Sequence, residues 1–180
     1  YNELLETLAG DIHRLRQLAR LIGETDATMS LAEVADECRW SRPEFCDERR
    51  LSLVESRHPV VERLMPGGER FIPNSVELDA DSRRLMIVTG PNMGGKSTVM
   101  RQAAIAVILS QMGSFVPARS AKLSLCDRIF TRVGASDDLG RGHSTFMVEM
   151  LETATILKEA TDQSLVILDE VGRGTSTYDG

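Results

Sequence analysis

Leu85-Met86-Ile87-Val88-Thr89 runs directly into Gly90-Pro91-Asn92-Met93-Gly94-Gly95-Lys96-Ser97, and an apolar stretch from Thr98 to Met112 follows. The octet fits G-x-x-x-x-G-K-[ST], the phosphate-loop pattern. The apolar run before it reads as a buried strand and the stretch after it as a helix. Strand, glycine-rich loop and helix in that order is the context the pattern needs. The glycines let backbone N–H groups curl around phosphate oxygens with no Cβ in the way. The helix adds the positive end of its dipole. Lys96 is placed to reach β- and γ-phosphates, and the Ser97 hydroxyl to ligate Mg²⁺. A glycine turn that merely joins strand to helix is the plainer reading; the complete pattern with both flanks weighs against it.

Further along, Leu165-Val166-Ile167-Leu168 ends in two acids, Asp169 and Glu170. In phosphate-loop enzymes such a strand lies beside the loop's own strand, and its terminal Asp faces Mg²⁺. Glu170 is then placed to orient the attacking water. Neighbours on an extended backbone point opposite ways, which suits two separate tasks. A water-orienting Glu favours hydrolysis over transfer to another acceptor, which requires water to be kept out. The plainer alternative is an acidic loop after a core strand.

The 180 residues suffice for one domain and part of another. With 42% hydrophobic and 27% charged residues the composition is that of a soluble globular protein. A net charge of −6 argues against this segment being a main nucleic-acid surface, which needs clustered Lys and Arg. Cys38, Cys46 and Cys126 show no C-x-x-C spacing and read as reduced thiols of a cytoplasmic protein. The longest apolar run, Ala103 to Leu109, is too short to span a bilayer. The chain opens on Tyr1 with no charged-then-apolar leader, as expected of an interior fragment.

Leu4, Leu5, Leu8, Ile12, Leu15, Leu18 and Ile22 recur at helical spacing, and Gly23 is expected to end that helix. Ser30 and Glu33 form a capping box for a second helix near Leu31–Cys38. The apolar stripe reads as core packing. The helical period stops around Trp40–Pro43, and an extended pattern begins at Leu51, Leu53 and Glu55. A domain boundary is therefore placed between Pro43 and Arg50, dividing residues 1–45 from 46–180. Pro66-Gly67-Gly68 marks a turn, 128–133 a strand and 144–160 a helix. Alternating strands and helices imply an α/β fold with a mostly parallel sheet, preceded by an α-helical segment. The sheet is expected to continue past Gly180.

Ser144 opens its helix as an N-cap, and a helix N-terminus with a free hydroxyl is also an anion site. From the residues alone the two readings stand level. Asp137 and Asp138, in a loop bounded by Gly134 and Gly142, read as solvated. His13, His58 and His143 have no partner at metal-ligand spacing and are given no catalytic role.

Four motifs in one order go well past a generic nucleotide site. Thr89–Thr98, Phe130-Thr131-Arg132-Val133-Gly134-Ala135 with Asp137-Asp138, Ser144-Thr145-Phe146-Met147-Val148-Glu149-Met150, and Leu168–Thr177 each resemble the corresponding segments of the MutS DNA mismatch repair family. The resemblance covers about residues 51–180 strongly; residues 1–45 fit the end of the family's lever helices. It implies an ABC-type, Mg²⁺-dependent ATPase with composite ATP sites at a homodimer interface. Gly90, Pro91, Asn92, Met93, Gly94, Gly95, Lys96, Ser97 and Thr98 would hold ATP, with Asn92 near the γ-phosphate. Phe71 would stack on adenine, a task suited to an aromatic ring. Ser97 and Asp169 would serve Mg²⁺, Glu170 catalysis, and Ser144 the phosphate of the other subunit. Gly172–Thr177 resembles the segment that couples the two sites. The implied partners are mismatched double-stranded DNA, contacted through parts of a longer protein, and a MutL-type protein, in the bacterial cytosol. Gly140-Arg141-Gly142-His143 departs from the bacterial pattern. The family's later histidine and C-terminal dimerisation element lie outside these 180 residues, so weak or no turnover is expected of the segment alone. A MutS paralogue acting on recombination intermediates or stalled ribosomes is the alternative, and Met93 speaks for the mismatch-repair branch. An SMC- or transporter-type ATPase would need an L-S-G-G-type signature, which Ser144-Thr145-Phe146 does not supply. A module that binds nucleotide without turnover is disfavoured by Glu170.

Overall fold

The computed structural model describes residues 2–91, 94–133 and 145–169. Helix α1 spans Asn2–Glu37 without a break. This corrects the expected division at Gly23 and the separate helix begun by Ser30. A Cβ at Gly23 would meet nothing, so the glycine costs only its intrinsic propensity, about 1 kcal/mol. Local bonds carry the helix across it. Arg20 Nε pairs with Glu24 at 2.7 Å, and the Thr25 and Thr28 hydroxyls donate to the carbonyls four residues back. The apolar stripe is not packed as expected either: Ile12, Leu15, Leu18 and Ile22 are exposed, and burial begins only near Ala35.

The end of α1 is a Schellman arrangement. Trp40 N–H donates to Ala35 O at 2.8 Å and Arg39 N–H to Asp36 O at 3.1 Å. That geometry demands a left-handed residue, and Arg39 sits there at φ 52°. A Cβ in this region costs roughly 1 kcal/mol or more. Arg39→Gly is therefore expected to stabilise the fold by about 0.5–1 kcal/mol, read as a raised urea midpoint. An unchanged or lowered midpoint would show that the Arg39 side chain compensates for its strain.

The larger sheet has four strands in the order β1 (Glu44–Phe45), β4 (Ser120–Leu123), β2 (Arg50–Ser56), β3 (Asn74–Asp79). β2 is antiparallel to both neighbours, and only β1 and β4 run parallel. The sheet is thus mixed, not mostly parallel. Its alternation explains why: Leu51 and Leu53 are buried while their neighbours are less so, the signature of an antiparallel sheet with one face on the core. A bulge interrupts the β2/β3 register between Leu53 and Ser56, with Glu55 at φ 50°. Helix α2 (Pro59–Leu64) follows β2, and β3 precedes helix α3 (Lys96–Gln111).

α3 covers the buried face. Ala103, Ala106 and Val107 pack with Leu51, Leu53, Val76, Val116, Ala121 and Leu123. Small residues on the helix let it lie close to the sheet.

The second sheet pairs β5 (Ile129–Val133) in parallel with β6 (Leu165–Asp169). Helix α4 (Thr145–Glu159) connects them and lies against β5, while β6 packs against α3. Asp127 fastens the start of the pair, accepting from Thr161 Oγ1 and Ser164 Oγ at 2.8 Å each. These hydroxyl donors, Thr161 foremost, hold its carboxyl below the usual carboxylate range.

The strand expected at Leu85–Thr89 is not formed among the described residues. Leu85 and Ile87 are 79% and 77% exposed. An apolar run records that a segment needs burial, not which partner supplies it. Here Leu85, Met86 and Val88 line one wall of an apolar groove of about 500 Å³, with residues 165–168 of β6 along another. Among the described residues no helix is long and apolar enough to cross a membrane.

Candidate nucleotide site

The site is built on the N-terminus of α3. Gly95 is its N-cap at φ 83°, a left-handed conformation that favours glycine. Gly94 N–H donates to Pro91 O at 3.1 Å, closing a tight turn. A Cβ on Gly94 would stand 2.9 Å from that carbonyl oxygen. Both glycines are thus required by the loop's shape.

The first turn of α3 carries no acidic residue, and no side chain caps it. Its leading backbone N–H groups have no acceptor within the helix, so the turn presents an uncompensated positive end. Lys96 adds a full charge beside it. Its Nζ donates to Gly90 O at 2.9 Å and Pro91 O at 2.8 Å. The ammonium thereby folds back over the loop whose carbonyls it bonds. This donor set fits phosphate: cationic, rich in N–H and shaped by glycine.

Asp169 ends β6 and is buried. It shares a strand face with Ile167 and Leu165, and Leu165 packs against the cluster that includes Ala103 and Val107 of α3. The acid therefore belongs to the sheet face that α3 covers. Ser97 and Thr98 lie in the first turn of α3. Among the described residues no group of three or more His, Cys, Asp or Glu side chains could hold a metal ion. Phe71 is half-buried in the loop before β3. Asn92, Met93, Ser144 and Glu170 lie outside the described residues, as do Asp137, Asp138, His143 and the loop at 172–177.

His58 is a helix cap. It precedes α2, where its Nδ1 accepts from Val61 N–H at 3.3 Å. Burial lowers the imidazole pKa and the nearby Arg101 charge adds to this, against a backbone hydrogen bond that raises it; the net lowering favours the neutral ring, which can accept.

Sequence reading gave Arg132 no role of its own. It is buried on β5, with Nε 3.0 Å from Glu152 and a guanidinium nitrogen 3.9 Å from Glu149, both on α4. Buried charge is costly unless paired, so this cluster holds α4 to β5 in one placement. An Arg inside an apolar strand, with Glu at i and i+3 on the next helix, was the available signal.

Together these features describe a mixed α/β domain whose chemistry gathers at the N-terminus of one helix. Residues 86–180 match the family described as MutS domain V, and the chain belongs to the MutS family. It is 55% identical to the DNA mismatch repair protein MutS of Pelotomaculum thermopropionicum over 180 residues, covering 100% of this chain and 21% of that protein. The corresponding protein of Acetivibrio thermocellus is 56% identical over 173 residues, 96% of this chain and 20% of its own length. That of Myxococcus xanthus is 54% identical over 181 residues, again all of this chain and 20% of its own length. The chain thus spans about a fifth of the length of the curated relatives it matches.

Proposed function

We propose that this chain is the nucleotide-binding part of a DNA mismatch repair sensor that binds and hydrolyses ATP. The observation that carries the reading is the Gly90–Ser97 loop on the acid-free N-terminus of α3, with Lys96 folded over it, in a chain of the MutS family. Residues 46–180 form the ATPase domain of P-loop, ABC type, and residues 1–45 the end of a lever segment.

Gly90 to Thr98 hold the triphosphate. The backbone N–H groups and Lys96 neutralise its charge, while Phe71 stacks on the base. Ser97 and Asp169 would hold Mg²⁺, which when bound would supply neutralisation of phosphate charge. Glu170 orients the water and accepts its proton. Ser144, which precedes Thr145 in the sequence, reaches the phosphate bound by a second copy of the protein. The site is then complete only in a homodimer. ATP binding there converts the mismatch-bound protein to a sliding clamp that recruits a MutL-type partner in the cytosol.

The test uses a full-length chimera in which residues 1–180 replace the matching segment of the Pelotomaculum protein. Binding to matched and single-mismatch duplexes is measured with and without Mg-ATP at one stated salt concentration. Preference for the mismatch, relaxed by ATP, is expected. Equal binding to both duplexes would move the chain to the paralogue acting on recombination intermediates or stalled ribosomes.

A further inference from the structure

The buried ion cluster on β5 occupies a place in the sheet that decides which ATP site it can serve. In the parallel β5/β6 pair Arg132 stands beside Leu168 and Val133 beside Asp169. Paired residues share a face, and successive residues alternate between faces. Asp169 is therefore on one face with Ile167 and Leu165, the face that α3 covers, and Arg132 is on the other. α4 lies on the side of Arg132, whose Nε is 3.0 Å from Glu152 and another of whose nitrogens is 3.9 Å from Glu149. The sheet thus separates Arg132 from the loop-bearing helix of its own chain. Both acids that it meets belong to α4.

Two features of α4 give this cluster a task beyond packing. Glu149 lies one turn from the start of the helix, which begins one residue after Ser144 in the sequence. Its side chain is as deeply buried as that of Arg132. Apolar side chains of similar volume often serve stability as well as a buried ion pair does, or better. Stability alone therefore does not account for charge here; directional contacts that fix how α4 lies do. The outward side of the same helix carries Met147, Met150 and Leu151, exposed at i, i+3 and i+4. Such a strip suits a surface that another protein covers.

We propose that Arg132, through Glu149 and Glu152, is a positioning residue for the ATP site of the partner subunit. It sets how α4 enters the dimer interface and takes no part in nucleotide binding by the loop of its own chain. The inference rests on the reading of Ser144 as a contact to the other subunit's phosphate.

The test uses dimers of the full-length chimera. Arg132→Met alone strands a buried carboxylate, so it is combined with Glu149→Leu, which restores an apolar contact. The homodimer of this paired variant is expected to hold a non-hydrolysable ATP analogue with a Kd within about threefold of the unmodified protein, while phosphate release falls at least about tenfold. Arg132→Lys, which keeps the charge but cannot span both carboxylates, carries the same test if the paired variant lowers the urea midpoint. Two heterodimers then separate the subunits, with a dimer of one Lys96→Ala and one unmodified subunit as the reference. In the first, one subunit carries Lys96→Ala and the other the Arg132 variant. The intact loop there meets an intact α4, so phosphate release is expected to match the reference. In the second, one subunit carries both changes and the other is unmodified. The intact loop now meets the altered α4, and release is expected to fall at least about tenfold below the reference. The reverse pattern would show that Arg132 serves its own loop, and equal rates in the two heterodimers that it serves neither site in particular; either result overturns the proposal. Ser144→Ala, put in place of the Arg132 change, tests the reading beneath it. Loss in the second heterodimer with Ser144→Ala but not with the Arg132 variant overturns the proposal alone. No effect of Ser144→Ala in either heterodimer overturns the reading of Ser144, and the proposal with it.

Discussion

Gly94→Val is expected to abolish Mg-ATP binding without unfolding the protein. The added Cβ would stand 2.9 Å from Pro91 O and 3.3 Å from Pro91 Cδ. The first of these is backbone, in the same turn that Gly94 N–H closes, so no side chain can swing away to make room. The loop must open, and its N–H groups cease to converge. Gly94 is itself exposed, so no core contact is disturbed. Affinity is expected to fall by about a hundredfold or more, roughly 2.7 kcal/mol, with the unfolding midpoint little changed. Titration calorimetry on the full-length chimera reads the first quantity and urea unfolding the second. A Kd within about threefold of the unmodified protein would mean that phosphate is not bound by this turn.

Glu170→Gln is expected to separate binding from turnover. The amide keeps the size of the carboxylate but cannot accept a proton from water. Loss of a general base costs about 10²–10⁴ in rate, so kcat should fall by at least about a hundredfold while ATP affinity holds. Asp169, one residue earlier, is buried on the face that α3 covers and is proposed to hold Mg²⁺; its replacement is expected to weaken Mg-dependent binding itself. The contrast between adjacent carboxylates is the informative part. Near-normal phosphate release by Glu170→Gln would remove Glu170 from the chemistry.

Elements that depend on local pattern were legible in the sequence. α3, α4, β5 and β6 fall within a few residues of where periodicity and apolar runs place them. β2 announces itself through Leu51 and Leu53. β4 escaped because Ala121 and Leu123 make too brief an alternation in four residues. β3 has its own alternation in Val76 and Leu78, yet it lies among turn formers that mask it. The error at Gly23 came from reading a helix-ending residue without its surroundings; 36 residues of otherwise compatible sequence carry one glycine easily. The error at Leu85–Thr89 is of another kind, because a ladder depends on an edge elsewhere in the fold. The phosphate loop was visible because its chemistry is written in consecutive residues. The hold of Arg57 on the end of α1 was not, because the carbonyls of Cys38 and Arg39 that its guanidinium bonds are brought to it by tertiary structure alone.

The unbroken course of α1 has a geometric consequence. At 1.5 Å per residue its 36 residues form a rod of about 54 Å. A rod gripped at one end magnifies rotation: a tilt of roughly 5° at Arg57 carries the tip about 5 Å sideways. Motion too small to disturb the packing around Ala35 would therefore arrive at Asn2 as a displacement as large as one helical turn. Had the helix broken at Gly23, a flexible joint would have absorbed that swing halfway.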